Sequence, residues 1–139
     1  MTRYHFSGQL MVGVPGVDAQ HQKMATLLQS LAGALSEGDT VTPHFRLEEL
    51  LDFTHDHFRD EERFLADTGY GSLPEHRRQH VYLSTQLRKL NVQLAFFEKA
   101  PSLCLVDSLW IWFGLHVMKA DRIAADWARA KFPGEVPPL

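Results

Sequence analysis

The stretch LEELLDFTHDHFRDEERFLADTGYG, residues 47–71, decides the fold. Its apolar residues recur at helical spacing along one broad face, and the run ends at glycines that favour the end of a helix. The same face carries His57 and Glu61, which are four residues apart and therefore lie one above the other on an α-helix. A long helix with polar residues on the face that should enter the core predicts a bundle with a polar interior site.

Three other segments have helical spacing of apolar residues, and residues that favour helix ends bound each of them. Asp18 is the predicted N-cap of the first helix, and Gly38 is its predicted stop. The expected helices run from about Asp18 to Glu37, from Thr42 to Gly69, from Ser72 to Lys99 and from Ser102 to Lys131. Helices of this length joined by short loops favour an all-α, up-down-up-down antiparallel four-helix bundle.

The chain fits one domain, because 139 residues with 45% hydrophobic content suit a single packed core. Glycines and a proline interrupt any regular pattern before residue 17. We therefore predict an N-terminal arm over 1–17, a bundle over about 18–131 and a loose tail over 132–139. Cys104 is the single cysteine, so we expect a buried apolar side chain there and no disulfide within the chain.

Composition and charge exclude several classes of partner. The formal net charge is −3 and Lys and Arg form no dense cluster, which argues against binding to nucleic acid or to an anionic membrane. The most apolar region, residues 108–118, is too short to cross a bilayer. The first ten residues lack the apolar run of a secretory signal, so a cytoplasmic location is expected.

Each of the other predicted helices also directs ligand-type residues into the core. The first carries His21 on its apolar stripe, and the third carries His76 and His80 four residues apart. The fourth carries His116 and, five residues later, Asp121. Burying such a set uncompensated costs roughly 1–3 kcal/mol for each unsatisfied neutral group and several for each charge. A bound metal is the most economical compensation.

The spacing from His116 to Asp121 makes a further prediction about the backbone. In a regular α-helix, side chains five residues apart lie about 140° apart around the axis. Both residues can serve one site only if the helix contains a π-bulge there or the Asp121 side chain is strongly angled.

These residues lie in four strings along the chain. They are GVDAQH at 16–21, HFRDEE at 57–62, the pair His76 and His80 after Gly69-Tyr70, and His116-x-x-x-x-Asp121 after Trp112. In order and spacing, the strings resemble those of the bacterial hemerythrins. The resemblance extends from about Val12 to Trp127 and so covers nearly the whole chain.

The resemblance implies a centre of two iron ions joined by an oxo or hydroxo bridge. It assigns His76, His80 and His116 to one iron and His21 and His57 to the other. Glu61 and Asp121 are the carboxylates that it assigns as bridges between the two irons. The second iron then has one protein ligand fewer, and the resemblance implies reversible binding of dioxygen at its open position. Mixed imidazole and carboxylate donors favour iron over structural zinc and leave manganese as an alternative.

Other residues are expected around this centre. By family position and by spacing from the ligands, the candidates for the wall of the oxygen pocket are Met24, Phe58, Trp112, Phe113 and Met118. A ligating histidine normally donates its free ring N–H to the protein. The candidates for accepting such bonds are Asp18, Gln20 and Tyr70. The histidines expected to be solvated are His5, His44 and His55. Glu62 is expected to be a surface charge near Arg59 or Arg63.

Storage or delivery of dioxygen is the favoured use, with an oxygen-consuming enzyme or a signalling protein as the partner, and no enzymatic activity is expected. The oligomeric state is left open. The chief alternative is a ferritin-like di-iron oxidase, peroxidase or iron-storage protein, whose usual signature has four or more carboxylates. Five histidines with two carboxylates favour reversible binding instead. A second alternative is a structural helical bundle whose histidines bind nothing.

Overall fold

The computed structural model describes residues 5–38, 41–96 and 103–139, and every regular element in these ranges is helical. A short 3-10 helix at Gly8–Leu10 precedes the bundle. The long elements are α1 (Pro15–Ser36), α2 (Thr42–Thr68), α3 (Leu73–Phe96), α4 (Leu103–His116), a π-helix (Val117–Asp121) and α5 (Arg122–Lys131). The last three follow one another without a break and form the fourth helical rod.

The rods form a closed four-helix bundle. Helix α1 packs against α2, α2 against α3, α3 against α4, and α4 against α1. Because short connections join α1 to α2 and α2 to α3, consecutive rods run antiparallel. This confirms the predicted all-α bundle. None of the helices in the described ranges combines the length and the hydrophobicity that crossing a membrane requires.

Helix α1 begins earlier than the sequence predicts. Its first residue is Pro15, whose fixed φ suits the first turn, and Val14 is the N-cap. Asp18 therefore lies inside the helix and is not its N-cap. Its carboxylate instead accepts hydrogen bonds from the backbone N–H groups of Val12 at 2.7 Å and Gly13 at 3.1 Å. Asp18 thus fixes the preceding segment on the start of α1.

Glycines end two of the helices, as predicted. Gly38 follows α1 with φ of 72°, and Gly69 ends α2 with φ of 84°, a left-handed conformation that a residue with a Cβ rarely adopts. Tyr70 N–H then bonds the Leu65 carbonyl at 2.9 Å, which satisfies an orphan acceptor at the end of α2. The predicted end of the third helix near Lys99 and the Cys104 side chain lie outside the described residues.

The core is arranged in layers along the bundle. One end is filled mainly by leucines from all four rods, including Leu31, Leu47, Leu90 and Leu109. Towards the other end, α2, α3 and α5 contribute an apolar cluster around Leu65. The ligand-type residues of α1, α2, α3 and the fourth rod lie between these two layers.

The two terminal segments pack on the bundle, which corrects the expectation of a loose tail. Leu10, Val12 and Val14 are buried in the core between α1 and the fourth rod. Val136 and Leu139 of the tail pack against the same cluster. The arm is also fixed by polar contacts, because the Arg122 guanidinium donates to the backbone carbonyls of Gln9 and Met11, and Arg129 donates to that of Val12.

Candidate metal centre

The seven candidate ligands come together inside the bundle. Each is at most 6% exposed. Four rods contribute to the set, which consists of His21, His57, Glu61, His76, His80, His116 and Asp121. The i,i+4 spacing explains the two pairs that a single helix supplies, since residues four apart project from the same face. The sequence-based grouping of these side chains at one site therefore agrees with their placement.

The donor atoms divide into two groups, each able to hold a metal ion. One contains His76, His80 and His116 with both carboxylates, and the other contains His21 and His57 with Glu61. Within the larger group, the Nε2 atoms of His76 and His116 each lie 2.9 Å from Asp121 Oδ1. His80 Nε2 lies 3.2 Å from Glu61 Oε1.

The two carboxylates connect the groups, because each turns one oxygen towards each group of imidazoles. Glu61 directs Oε1 at His76 and His80, and its Oε2 lies 3.5 Å from His57 Nε2. Asp121 directs Oδ1 at the larger group, and its Oδ2 lies 3.2 Å from His21 Nε2. This is the arrangement that two bridging carboxylates between neighbouring metal ions require.

The outer ring nitrogens of three of these histidines are held by oxygen acceptors. His57 Nδ1 lies 2.5 Å from Gln20 Oε1, and the Gln20 amide nitrogen donates to Asp60 at 3.2 Å, which fixes the orientation of the amide. His116 Nδ1 lies 2.8 Å from Gln79 Oε1. His80 Nδ1 lies 2.9 Å from Glu62 Oε2. Each Nδ1 therefore carries the proton, and each Nε2 presents a lone pair to the centre.

The inner atoms are suited to a cation. The Nε2 atoms of His80 and His116 face each other at 3.1 Å, although both carry lone pairs in these tautomers. Glu61 Oε2 and both oxygens of Asp121 are buried and accept no hydrogen bond. Converging lone pairs and unpartnered carboxylate oxygens repel one another in a dry core unless a positive charge lies among them. The donor set therefore fits metal ions that take imidazole and carboxylate ligands.

Burial and charge shift the titration of these groups. Burial lowers the pKa of His57 to about 4, although the Glu61 charge opposes this, so the imidazole is neutral near neutral pH. Burial would also lower the pKa of His76, but the close approach of the Asp121 and Glu61 carboxylates to its ring raises that pKa to about 10. Without a metal, a proton on His76 offsets part of the carboxylate charge. A metal ion must displace that proton.

The π-helix brings Asp121 to the centre. Its five residues, Val117–Asp121, widen the fourth rod between His116 and the start of α5. Asp121 is 3% exposed and faces the imidazoles instead of solvent. The predicted widened turn is therefore present. It removes the offset of about 140° that a regular α-helix would impose between these two residues.

Of the three residues expected to accept a hydrogen bond from a ligand imidazole, one is in that position. Gln20 does so, whereas Asp18 binds the backbone of the arm and Tyr70 lies edge-on to His76 with ring centroids 6.5 Å apart. Glu62 is not a mere surface charge near Arg59 or Arg63, because it accepts from His80 and from Arg77.

Gln79 was missed and Glu62 was assigned to the surface, although the sequence holds a signal for both. Each is adjacent in sequence to a candidate ligand and so lies about 100° around its helix from that ligand. There it faces the neighbouring helix, which contributes the imidazole that it binds.

The remaining histidines lie away from the centre. The side chain of His55 is 75% exposed, as its position two residues before His57 predicts. His5 is exposed and His44 is half-buried. The outward placement of His55 agrees with the predicted helical phase of α2, in which His57 and Glu61 face inward.

Three of the five predicted pocket residues line a cavity of about 30 Å³, whose other walls are five leucines and Thr54. Met24, Phe58 and Phe113 form part of this wall, and the Phe113 ring meets His21 edge-on at 5.6 Å. Trp112 and Met118 do not line it. Trp112, the neighbour of Phe113, is rotated about 100° and packs on Tyr82, and Met118 is 39% exposed.

The profile of the family described as hemerythrin HHE cation-binding domain matches residues 12–128, most of the chain. The chain belongs to the hemerythrin family. Its relatives include the bacteriohemerythrin of Pseudomonas aeruginosa, which is 28% identical over 129 residues, 93% of this chain and 84% of that protein. The myohemerythrin of Riftia pachyptila is 29% identical over 91 residues, 66% of this chain and 71% of that protein.

Solved structures agree with this family at the level of the fold. A wild-type hemerythrin crystal structure superposes with a TM-score of 0.82 at 20% sequence identity, covering 88% of this chain and 95% of the other. The hemerythrin fold thus accounts for the four rods, and the seven candidate ligands are buried inside the bundle.

Proposed function

We propose that this protein holds two iron ions at the seven-residue centre and binds dioxygen reversibly. The observation that carries the proposal is the position of the two carboxylates, each with one oxygen towards each histidine group. Membership of the hemerythrin family supports the identity of the metal and of the ligand. When bound, a pair of irons supplies two electrons that can be shared reversibly with dioxygen.

The proposed ligand assignment is asymmetric. One ion takes His76, His80 and His116, the other takes His21 and His57, and both share the oxygens of Glu61 and Asp121. The second ion therefore has one protein donor fewer, and we place the dioxygen site there. The Phe113 ring supports this choice, since it is buried, meets His21 edge-on and lines the apolar cavity together with Met24 and Phe58.

The chain's own residues have three tasks in this proposal. Gln20, Gln79 and Glu62 orient the imidazoles through their Nδ1 protons. The carboxylates neutralise the metal charge in a low-dielectric core. The aromatic rings exclude water from the oxygen site, which slows loss of the electrons from the oxygenated protein.

We further propose storage or delivery of dioxygen as the physiological use, with no enzymatic turnover. The five imidazoles and two carboxylates support this choice over oxidase chemistry, which typically uses four or more carboxylates. An oxygen-consuming enzyme or a signalling protein is the partner that such a role implies.

One measurement tests metal, redox state and ligand together. The protein is reduced without oxygen, its iron is quantified, and visible spectra are recorded before air is admitted, in air, and after the oxygen is removed again. We expect two irons per chain and a visible band that appears in air and disappears on deoxygenation. One zinc per chain without such a band would overturn the proposal, and a band that never reverses would favour an oxidase.

A further inference from the structure

The three imidazoles with fixed outer protons do not have equivalent acceptors. His57 and His116 donate to neutral amide oxygens, those of Gln20 and Gln79. His80 alone donates to a carboxylate, Glu62 Oε2, at 2.9 Å. His80 belongs to the larger metal group, so the two proposed metal positions differ in this respect as well as in the number of imidazoles.

Glu62 is held firmly in this position. Its other oxygen, Oε1, accepts a hydrogen bond from Arg77 Nε at 3.1 Å, so the side chain bridges α2 and α3. The Glu62 side chain is 25% exposed and that of Arg77 is 53% exposed. His80, Glu62 and Arg77 therefore form a chain of contacts from the buried centre to the surface.

The charge of Glu62 has a consequence for the metal. A carboxylate acceptor draws the Nδ1 proton away from the imidazole and makes Nε2 a stronger donor than an amide acceptor does. A stronger donor favours the ferric over the ferrous state. Arg77 opposes the effect, because its positive charge withdraws electron density from the same carboxylate.

From this geometry we propose that Glu62 is a positioning residue which, through His80, lowers the reduction potential of the ion held by His76, His80 and His116 relative to the other ion. This proposal rests on the proposed di-iron function. It assigns Arg77 the opposite influence, which is smaller because its guanidinium is more exposed and its charge is screened by solvent.

Two variants with opposite expected signs test the proposal in the full chain. Glu62→Gln keeps an oxygen acceptor for His80 but removes the charge, and Arg77→Met keeps an aliphatic stem but removes the opposing charge. Potentiometric titration of the iron-loaded proteins should show one of the two one-electron steps shifted upwards in E62Q. The expected tenfold change in the ferric-to-ferrous ratio corresponds to about 59 mV. The same step should shift downwards, by less, in R77M.

A matched control and a redox-inert probe accompany these variants. Glu75 is adjacent to His76 in sequence but is exposed and pairs with Arg78 at 3.4 Å, so Glu75→Gln should leave both steps unchanged. Zinc affinity of the metal-free proteins should fall about tenfold in E62Q and stay unchanged in E75Q. Opposite shifts in E62Q and R77M cannot arise from destabilisation alone.

The outcomes distinguish the two proposals. If the unmodified protein binds two irons while E62Q leaves both potentials and the zinc affinity unchanged, Glu62 is a surface ion-pair partner only, and this inference is wrong. If the unmodified protein binds no iron pair, the proposed function fails. The zinc affinities of E62Q and E75Q then still decide whether Glu62 acts on His80.

Discussion

At the scale of single residues, the centre depends on carboxylates whose two oxygens serve different imidazoles. Glu61 is the clearest case, since its oxygens face His80 on one side and His57 on the other. Both atoms lie in the core, because Glu61 is 3% exposed. Loss of one such side chain therefore affects both proposed metal positions together.

Glu61→Ala is expected to remove most of the bound iron, because one oxygen donor to each ion disappears at once. Iron per chain, measured after gel filtration, should fall from two towards zero. His55→Ala is the matched control on the same helix, with a side chain that is 75% exposed, and it should keep the full iron content. Normal iron content and oxygen binding in E61A would show that Glu61 is not a shared ligand.

Phe113→Ala is expected to shorten the lifetime of the oxygenated form, because it opens the cavity wall beside His21 to water. The ring is 5% exposed, so the free energy of unfolding should also fall by roughly 3 to 5 kcal/mol. Autoxidation followed by visible absorbance and denaturation followed by circular dichroism measure the two effects.

Trp112→Ala is the informative comparison for Phe113→Ala. Trp112 is adjacent in sequence but packs on Tyr82 and does not line the cavity. The Trp112→Ala variant should have a lower free energy of unfolding but an unchanged autoxidation rate. Equal acceleration in both variants would show that general loosening of the fourth rod, rather than the cavity wall, controls water entry.

At the scale of elements, the fourth rod shows how a local irregularity serves a site. α4 and α5 are regular, and the five residues of Val117–Asp121 between them form a π-helix. A π-bulge accommodates one additional residue without changing the phase of the flanking helix. His116 and Asp121 can therefore both face the centre while α5 keeps its buried alanines in the core.

Changes in length test this interpretation. Deleting the exposed Lys119 should convert the bulge to regular α-helix, leave Asp121 on the inner face, and preserve metal binding. Inserting one alanine after Ala120 should rotate Asp121 by about 100° away from the centre and abolish binding at both positions. Iron content and helical circular dichroism would measure the result. Loss of metal in the deletion, with the fold intact, would mean that the π-helix itself is required.

At the scale of the whole molecule, a polar centre lies between two apolar layers that hold the rods together. The layers fix the distances between imidazoles, and the centre in turn places unpartnered carboxylate oxygens in the core. Without a cation, this arrangement opposes folding. Metal binding and stability are therefore coupled.

Removing the metal is expected to destabilise the bundle measurably. A ligand that binds only the folded state contributes about 4 kcal/mol when its free concentration is 1,000 times its Kd. The chelated protein should melt at a lower temperature by calorimetry, and reloading with iron should restore the original melting curve. Identical melting of the metal-free and reloaded proteins would show that the carboxylates are compensated by other means.

The sequence alone determined the rods and the inward-facing residues. Apolar periodicity and stop signals such as Gly69 are local properties, so they predict where helices run and which face enters the core. The four-residue spacing of His57 with Glu61 and of His76 with His80 fixed their common faces by the same helical geometry. Counting residues along one helix also limited the backbone before Asp121 to a widened turn or a strongly angled side chain, and the widened turn is the one present.

Only the tertiary structure decided which side chains meet across helices. His57 bonds Gln20 and His116 bonds Gln79, in each case 37 residues away, and Glu62 reaches His80 instead of Arg59. The same holds for Asp18, which fixes the arm, and for Trp112, which lies outside the cavity. Periodicity fixes the angle of a side chain around its own helix, whereas its partner depends on how neighbouring helices are rotated and packed against each other.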